Sequence, residues 1–393
     1  MIYLDNAATT NTRPEVVAEM LPYFTDYFGN PESVHAAAKV PVKAIEYAEK
    51  SVHNLIHSNG AGKVIFTSGG TESNNMVFKL CQSPRPMCMN IITSATEHKS
   101  VLEPAKACDR ATIRLMLPGK KGFIAGDALA PEDIPAFTVV SLMHMNNETG
   151  TVNDVYRIGE LMKRFSDLDV FYHVDCVQSA GELPIYVNDM NADMISISSH
   201  KIHGPKGIGC LWVSDRLMER IEDGKNIAVI RGGGQQSGFR AGTMDVPSIA
   251  GFGKACDLAC DIQRNSETIN ELAGLFLCNL KKDCKQRKIK FKVNFDDESS
   301  HDNKILSIQF PGADAETVVM IASRDGLCIS NGAACNSVSS EPSYVLTNSG
   351  IKPDAARNTV RVSFSCENIL ADMVKAAEIL SSAVEEVLSL NLT

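Results

Sequence analysis

The chain has 393 residues, 44% hydrophobic and 22% charged, a globular balance with room for a large domain and a smaller one. A formal net charge of −9 argues against general nucleic-acid binding by bulk charge, so no direct nucleic-acid partner is expected. Twelve cysteines are scattered singly with no CxxC pair, which supports neither a zinc ribbon nor a thioredoxin-type motif, and no metal is expected.

The opening MIYLDNAATT has no basic n-region and no long apolar segment, and no window reaches the roughly 18 apolar residues that span a bilayer. With so many thiols, this predicts a reducing cytoplasm and no membrane partner. His53 and His57, four apart on a predicted helix, are read as helix-surface residues because no third ligand accompanies them. From about residue 60, short apolar runs alternate with longer amphipathic ones. VIFT (64–67) leads into SGGTESNN, NIITSA (90–95) into TEHKS, and FTVVSLMHM (137–145) into NNETG. VFYHVD (170–175) leads into CVQSAG, DMISIS (193–198) into SHKIHGPKG, and GCLWVS (209–214) reads as one more strand. Helix-like segments such as 154–165 lie between them, which predicts an α/β fold with a largely parallel sheet covered on both faces. After about residue 255 the texture changes. A helical stretch (255–282), the strands FKVNF and KILSIQF, and an amphipathic helix over 369–388 predict a smaller α+β domain. The basic run KKDCKQRKIK (281–290) is read as a solvated helix face.

Polar residues collect just after the strands: Thr71, His98, Asn147, Asp175, Gln178, His200 and Lys201. Open α/β sheets bind ligands beyond the carboxyl ends of their strands, so these side chains are expected on one rim. The glycines of SGGTESNN let backbone N–H groups approach an anion at a helix N-terminus, although such a turn alone is more often only a tight turn. No GK[ST] follows, and there is no GxGxxG. A lysine is ordinarily a solvated surface charge. Lys201, however, directly follows an apolar strand, where desolvation would make it a Schiff-base nucleophile; Lys206, further into the turn, is the competitor. Asp175 ends a buried strand, where a carboxylate needs a cationic or hydrogen-bonding partner, and a pyridinium nitrogen is one. A phosphate loop, a strand-end aspartate and a Schiff-base lysine on one rim describe a pocket for pyridoxal 5′-phosphate (PLP). Separately, ISNGAACNSVSSEP (329–342) sets the thiol of Cys335 among small polar residues, unlike the apolar settings that structural cysteines favour.

The stretches YLDNAATT, FGNPESVH, IFTSGGTESNN, TEHKSV, MHMNNETG, YHVDCVQS, SSHKIHGPKGIG, GGGQQSGFRAGT and SNGAACNSVSSEPSYVL, with the strand around Arg361, run from residue 3 to about 364. In them the chain resembles the cysteine desulfurases of the NifS/IscS type, PLP-dependent enzymes of the class V aminotransferase group. The resemblance implies fold type I of the PLP-dependent transferases. The large domain would span 15–255, and the small domain 1–14 and 256–393, carrying a cysteine loop at about 328–342. It also implies L-cysteine as substrate, a homodimer with sites at the interface, and a sulfur-acceptor protein, either an iron–sulfur scaffold or a tRNA-thiolation enzyme.

By the same resemblance, Lys201 would hold PLP covalently, Asp175 would pair with the pyridine nitrogen and Gln178 would bond the ring hydroxyl. His98 would stack on the ring and shuttle protons. Gly70, Thr71, Ser198 and His200 would hold the phosphate, and Thr243 would reach the phosphate of the other subunit. Asn147 would lie near ring and substrate. Arg361 would clamp the substrate carboxylate, helped by Asn30. Cys335 would attack the substrate sulfur, leaving alanine and a persulfide on itself. Cys328 and Cys176 are read as buried. Three features depart from the family: Gln236 and Ser237 replace a charged pair, Cys366 stands where no cysteine is expected, and the chain stops at NLT without the tail that docks a scaffold. The rival readings are a selenocysteine or cysteine lyase of the same fold and a non-catalytic sulfur-relay subunit. Intact Lys201, Asp175 and Cys335 argue against the last.

Overall fold

The computed structural model describes residues 1–82, 88–221, 227–296, 300–331 and 341–390. Its first strand, β1 (Ile2–Tyr3), belongs with the far end of the chain, pairing in parallel with β11 (Leu327–Cys328). The main sheet has seven strands: β2 (Lys63–Thr67), β3 (Asn90–Ser94), β4 (Thr112–Met116), β5 (Thr138–Met143), β6 (Val170–Asp175), β7 (Met194–Ser198) and β8 (Gly209–Val213). Their order is β2-β8-β7-β6-β5-β3-β4, and only β8 runs antiparallel to its neighbours.

Every residue of β5, β6, β7 and β8 is buried, which is why their sequences read as continuous apolar runs. Alternate residues pack on opposite faces. Val140, Tyr172, Val174 and Ile195 share a core with the helices Lys39–Leu55 and Val246–Ala259. Val139, Phe171, Met194 and Leu211 face the helices Gly70–Gln82 and Lys99–Lys106. β4 carries no apolar run to announce it, because it closes the sheet edge with Thr112, Arg114 and Leu115 exposed.

A second core gathers residues 269–387 together with Leu4. It covers a three-stranded antiparallel sheet of β9 (Lys292–Val293), β10 (Ile305–Gln309) and β12 (Thr359–Ser363), with β10 in the middle. The helices Ile262–Gln286 and Asp372–Leu390 pack together on it. The expected single helix over 255–282 is thus two helices. Asp261 leaves helical dihedrals (φ −82°, ψ 61°), and the chain crosses there from the first core to the second. His57 also departs from expectation: it falls past the end of the helix Lys39–Leu55, at φ 52°. Among the described residues no helix is long and apolar enough to cross a membrane.

Candidate active site

The carboxyl ends of the main-sheet strands open on a cavity of about 280 Å³. Gly70, Thr71, His98, Asn147, Asp175, Gln178, Ser198, His200, Lys201 and Arg361 all line it. Most are delivered by the end of an element. Gly70 and Thr71 open the helix that follows β2, Asp175 and Ser198 end β6 and β7, and His200 and Lys201 form the short turn after β7.

Asp175 is buried, and its carboxylate is held in place from both sides. Asn74 Nδ2 donates to Oδ2 at 2.8 Å, and the Val177 N–H donates to Oδ1 at 2.9 Å. Burial raises its pKa, opposed by those two hydrogen bonds and by nearby His98 and Lys201. Asn74 Nδ2 also donates to Ser100 Oγ at 2.8 Å. The Ser100 N–H in turn donates to His98 Nδ1 at 3.1 Å, capping the helix Lys99–Lys106. His98 Nδ1 is therefore an acceptor, and Nε2 carries the ring proton. Burial lowers the pKa of His98, with Lys201 and Lys99 adding to the effect and Asp175 opposing it. His200 is pushed down to about 4 by burial and by the charges of Lys201 and Lys206.

Lys201 Nζ donates to the carbonyls of Ala7 and Ala8, the latter at 2.9 Å. Gln178 Nε2 donates to the same Ala7 carbonyl at 2.9 Å. The amide oxygens of Gln178, Asn147 and Asn74 are buried without a partner among the described residues. Buried polar atoms need partners, so three unsatisfied acceptors around one cavity call for a ligand that brings donors. A hydroxylated pyridinium ring does so, with a buried aspartate beside it. Next to the cavity, a recess lined by Ser68, Gly69, Thr71, Ser198, His200 and Lys206 sits at the start of the helix Gly70–Gln82. Gly69 has φ 143°, and a Cβ on Gly70 would lie 2.8 Å from Val177 Cγ2. Backbone alone fits there, as an anion cradle requires. The residues present therefore fit PLP. Lys206 borders only the recess, whereas Lys201 lines the main cavity.

Arg361, on β12, is 3% exposed. Its Nη1 donates to the Asn147 carbonyl at 2.8 Å and its Nη2 to Asp5 Oδ1 at 2.7 Å, while Nε is buried without a partner among the described residues. Glu148 and Tyr344 complete this wall. Burial pushes the Glu148 carboxyl up to about 7, against the hydrogen bond from Ser343 Oγ and the charges of Arg361 and Lys99. Asn30 and Thr243 are exposed and line neither the cavity nor the recess. Cys335 lies outside the described residues.

Sequence reasoning passes over Asn74, Ser100, Glu148 and the Asp5–Ala8 segment. Asn74 leaves a signal, since it falls one turn after Gly70 and Thr71 on the same helix face. The two departures at Gln236 and Ser237 have a structural use. The Gln236 amide accepts from the Phe66 N–H at 2.7 Å and donates to the Phe66 carbonyl at 2.9 Å, pairing with β2 at the sheet edge as a further strand would. Ser237 Oγ accepts from Lys63 Nζ at 2.8 Å. Cys366 Sγ accepts from Arg13 at 3.2 Å and is not among the residues lining the cavity. Cys176 is fully buried, whereas Cys328 is only half-buried, because β11 is a two-residue strand beside the short β1.

A model of the family described as Aminotransferase class-V matches residues 2–375. A cysteine desulfurase of Cereibacter sphaeroides is 34% identical over 393 residues, covering 99% of this chain and 97% of its own. Among solved structures, a NifS-like protein matches with a TM-score of 0.83 at 26% identity, over 99% of both chains. The structure titled SspA in complex with cysteine matches with a TM-score of 0.76 at 30% identity, over 94% of this chain and 100% of SspA.

Proposed function

We infer the chemistry of this chain from the family to which it belongs: it is a member of the aminotransferase class-V family, and it is a PLP-dependent cysteine desulfurase acting on L-cysteine. The observation that carries the residue assignments is one cavity that collects Lys201, Asp175, Gln178, His98 and Arg361. In our reading Lys201 holds PLP covalently, Asp175 faces the ring nitrogen and Gln178 the ring hydroxyl. Gly70, Thr71, Ser198 and His200 surround the phosphate. Bound PLP supplies an electron sink for the carbon skeleton of the substrate.

The chain's own groups do the rest. Asp175, fixed by Asn74 and Val177, keeps a negative charge where the ring nitrogen needs it. His98 offers its Nε2 proton to the cavity. Asn147 borders ring and substrate, and Arg361 receives the substrate carboxylate. Cys335 takes the sulfur: its thiolate forms an S–S bond as the carbon–sulfur bond breaks, and the bonding pair stays with the carbon skeleton, which leaves as alanine. The persulfide then passes to an acceptor protein, an iron–sulfur scaffold or a tRNA-thiolation enzyme, in the cytoplasm.

We read the domains as 15–255 and as 1–14 with 256–393, a division supported by the two apolar cores. A homodimer is supported by the exposed apolar side chains of Leu21, Phe24, Phe28 and Val34, which water does not favour. Thr243, exposed on its own subunit, would serve the site of the other.

The test is alanine formation from L-cysteine by PLP-loaded protein, with and without dithiothreitol, in wild type and Cys335→Ser. Wild type makes alanine, with reductant sustaining turnover, and the serine variant stays yellow and inactive. Equal turnover by the serine variant would remove Cys335 from the reaction and favour a lyase.

A further inference from the structure

The guanidinium of Arg361 is buried, yet among the described residues only two of its three nitrogens have hydrogen-bond partners. Asp5 takes Nη2 through a single carboxylate oxygen at 2.7 Å, and the Asn147 carbonyl takes Nη1 at 2.8 Å. A carboxylate that competed with substrate would fill the fork in bidentate fashion. Asp5 instead leaves the buried Nε–H without a partner among the described residues and, with the Asn147 carbonyl, fixes the plane of the group.

Asp5 is itself immobilised through its backbone. β1 pairs with β11 just before it, and Asp5 bridges Ser363. The Ser363 N–H donates to the Leu4 carbonyl at 2.8 Å, and the Ala7 N–H donates to Ser363 Oγ at 2.9 Å. Ser363 is on the same strand as Arg361 and points its backbone to this segment. Two residues further on, the Ala7 and Ala8 carbonyls hold Lys201 Nζ. One short stretch, Asp5 to Ala8, thus meets the arginine with a carboxylate and the lysine with carbonyls.

We propose that Asp5 is a positioning residue for the substrate: it fixes the Arg361 guanidinium at the cavity wall so that the edge carrying the unsatisfied Nε–H receives the carboxylate of the amino acid, at a distance from Lys201 set by the Asp5–Ala8 stretch. This rests on the reading of Arg361 as the carboxylate receptor. It assigns a role to a residue on neither the main sheet nor the arginine's own strand.

The experiment uses PLP-loaded enzyme and two ligands titrated against its visible band. L-Alanine carries the carboxylate without the thiol, and cysteamine carries the amine and thiol without the carboxylate. Asp5→Ala weakens L-alanine about tenfold and raises KM for L-cysteine similarly, with kcat within about threefold of wild type and cysteamine binding unchanged. Asp5→Asn, which keeps the shape and one acceptor, gives a smaller change in the same direction and guards against a folding defect. Unchanged or tighter L-alanine binding in Asp5→Ala overturns the proposal, because Asp5 would then be idle or a competitor. An equal loss for cysteamine also overturns it, because the role would be merely structural. Arg361→Ala separates the two readings. If it abolishes the preference for a carboxylate while Asp5→Ala does not, only the role of Asp5 fails; if it leaves that preference intact, the reading of Arg361 fails and takes this one with it.

Discussion

The two halves of the cavity are built in different ways. The cofactor half comes from successive strand ends of one sheet, so each residue is placed by the strand directly before it. The substrate half is assembled from Asp5, Asn147 and Arg361, with 356 positions separating the first from the last and 214 the second from the last. The first half inherits its geometry from a sheet buried on both faces. The second exists only where the N-terminal segment, the loop after β5 and a strand of the second core meet. Binding the cofactor and orienting the substrate should therefore be separable by mutation.

The largest effect tests that separation. Lys201→Ala removes the group that would hold PLP covalently and lowers alanine formation by about a thousandfold or more. Arg361→Lys keeps the charge and loses the planar fork, so KM for L-cysteine rises on the order of tenfold while the visible band of bound PLP is retained. Steady-state kinetics with absorbance spectra of each purified variant checks both. Loss of the band in Arg361→Lys would mean that the two halves stand or fall together.

The same contrast explains what is legible in the sequence. Strand followed at once by polar residue is a local pattern, and it singles out Thr71, His98, Asn147, Asp175, Gln178, His200 and Lys201 without any knowledge of distant contacts. The sheet strands are legible for the same reason, except β4, whose edge position leaves it without an apolar run. Arg361 sits in a strand that reads like any other, and its role comes from resemblance. Asp5 is hidden more deeply, because its importance lies in a contact with a residue at the other end of the chain. Asn74 acts through Asp175 and Ser100, and its one trace in the sequence is its place one helical turn after Gly70 and Thr71, which does not reveal those partners.

A second measurement sharpens the contrast through pH. In the cofactor half, His200 is held down at about 4 and stays neutral through the working range. In the substrate half, burial lifts Glu148 to about 7, so it titrates there. For an acid whose folded pKa lies above its unfolded value, the folded state binds more protons between the two. Stability then falls as pH rises from about 4.5 toward about 7, and levels off above that. The contribution is at most about 1.4 kcal/mol per pH unit. Glu148→Gln keeps an acceptor for Ser343 and removes the titration. The stability difference between variant and wild type should grow in favour of the variant over that window. Urea unfolding of the PLP-loaded proteins at several pH values reads this directly, and a pH-independent difference would place the Glu148 carboxyl in contact with water.

The smallest effect concerns the edge of the main sheet, where the cofactor half is most exposed to loss. β2 is the outermost strand on its side and leads directly into the phosphate turn. The Gln236 amide satisfies both backbone groups of Phe66, at 2.7 and 2.9 Å, in a segment bent through left-handed dihedrals at Gln236 and Ser237. Gln236→Ala forfeits both bonds and leaves an unpaired strand edge beside the turn, which should cost about 1–2 kcal/mol in urea unfolding. PLP affinity should fall with it, because the turn loses its support, whereas KM for L-cysteine at saturating PLP should hold. Among the described residues the exposed Ser237 hydroxyl bonds only the half-buried Lys63 ammonium, so Ser237→Ala should stay within about 0.5 kcal/mol of wild type. The two neighbours both bond β2, yet the Gln236 amide meets its backbone and the Ser237 hydroxyl only a side chain. If Gln236→Ala raised KM as much as it lowered PLP affinity, the edge of the sheet would be coupled to Arg361 across the cavity, and the division into two halves would fail at its weakest point.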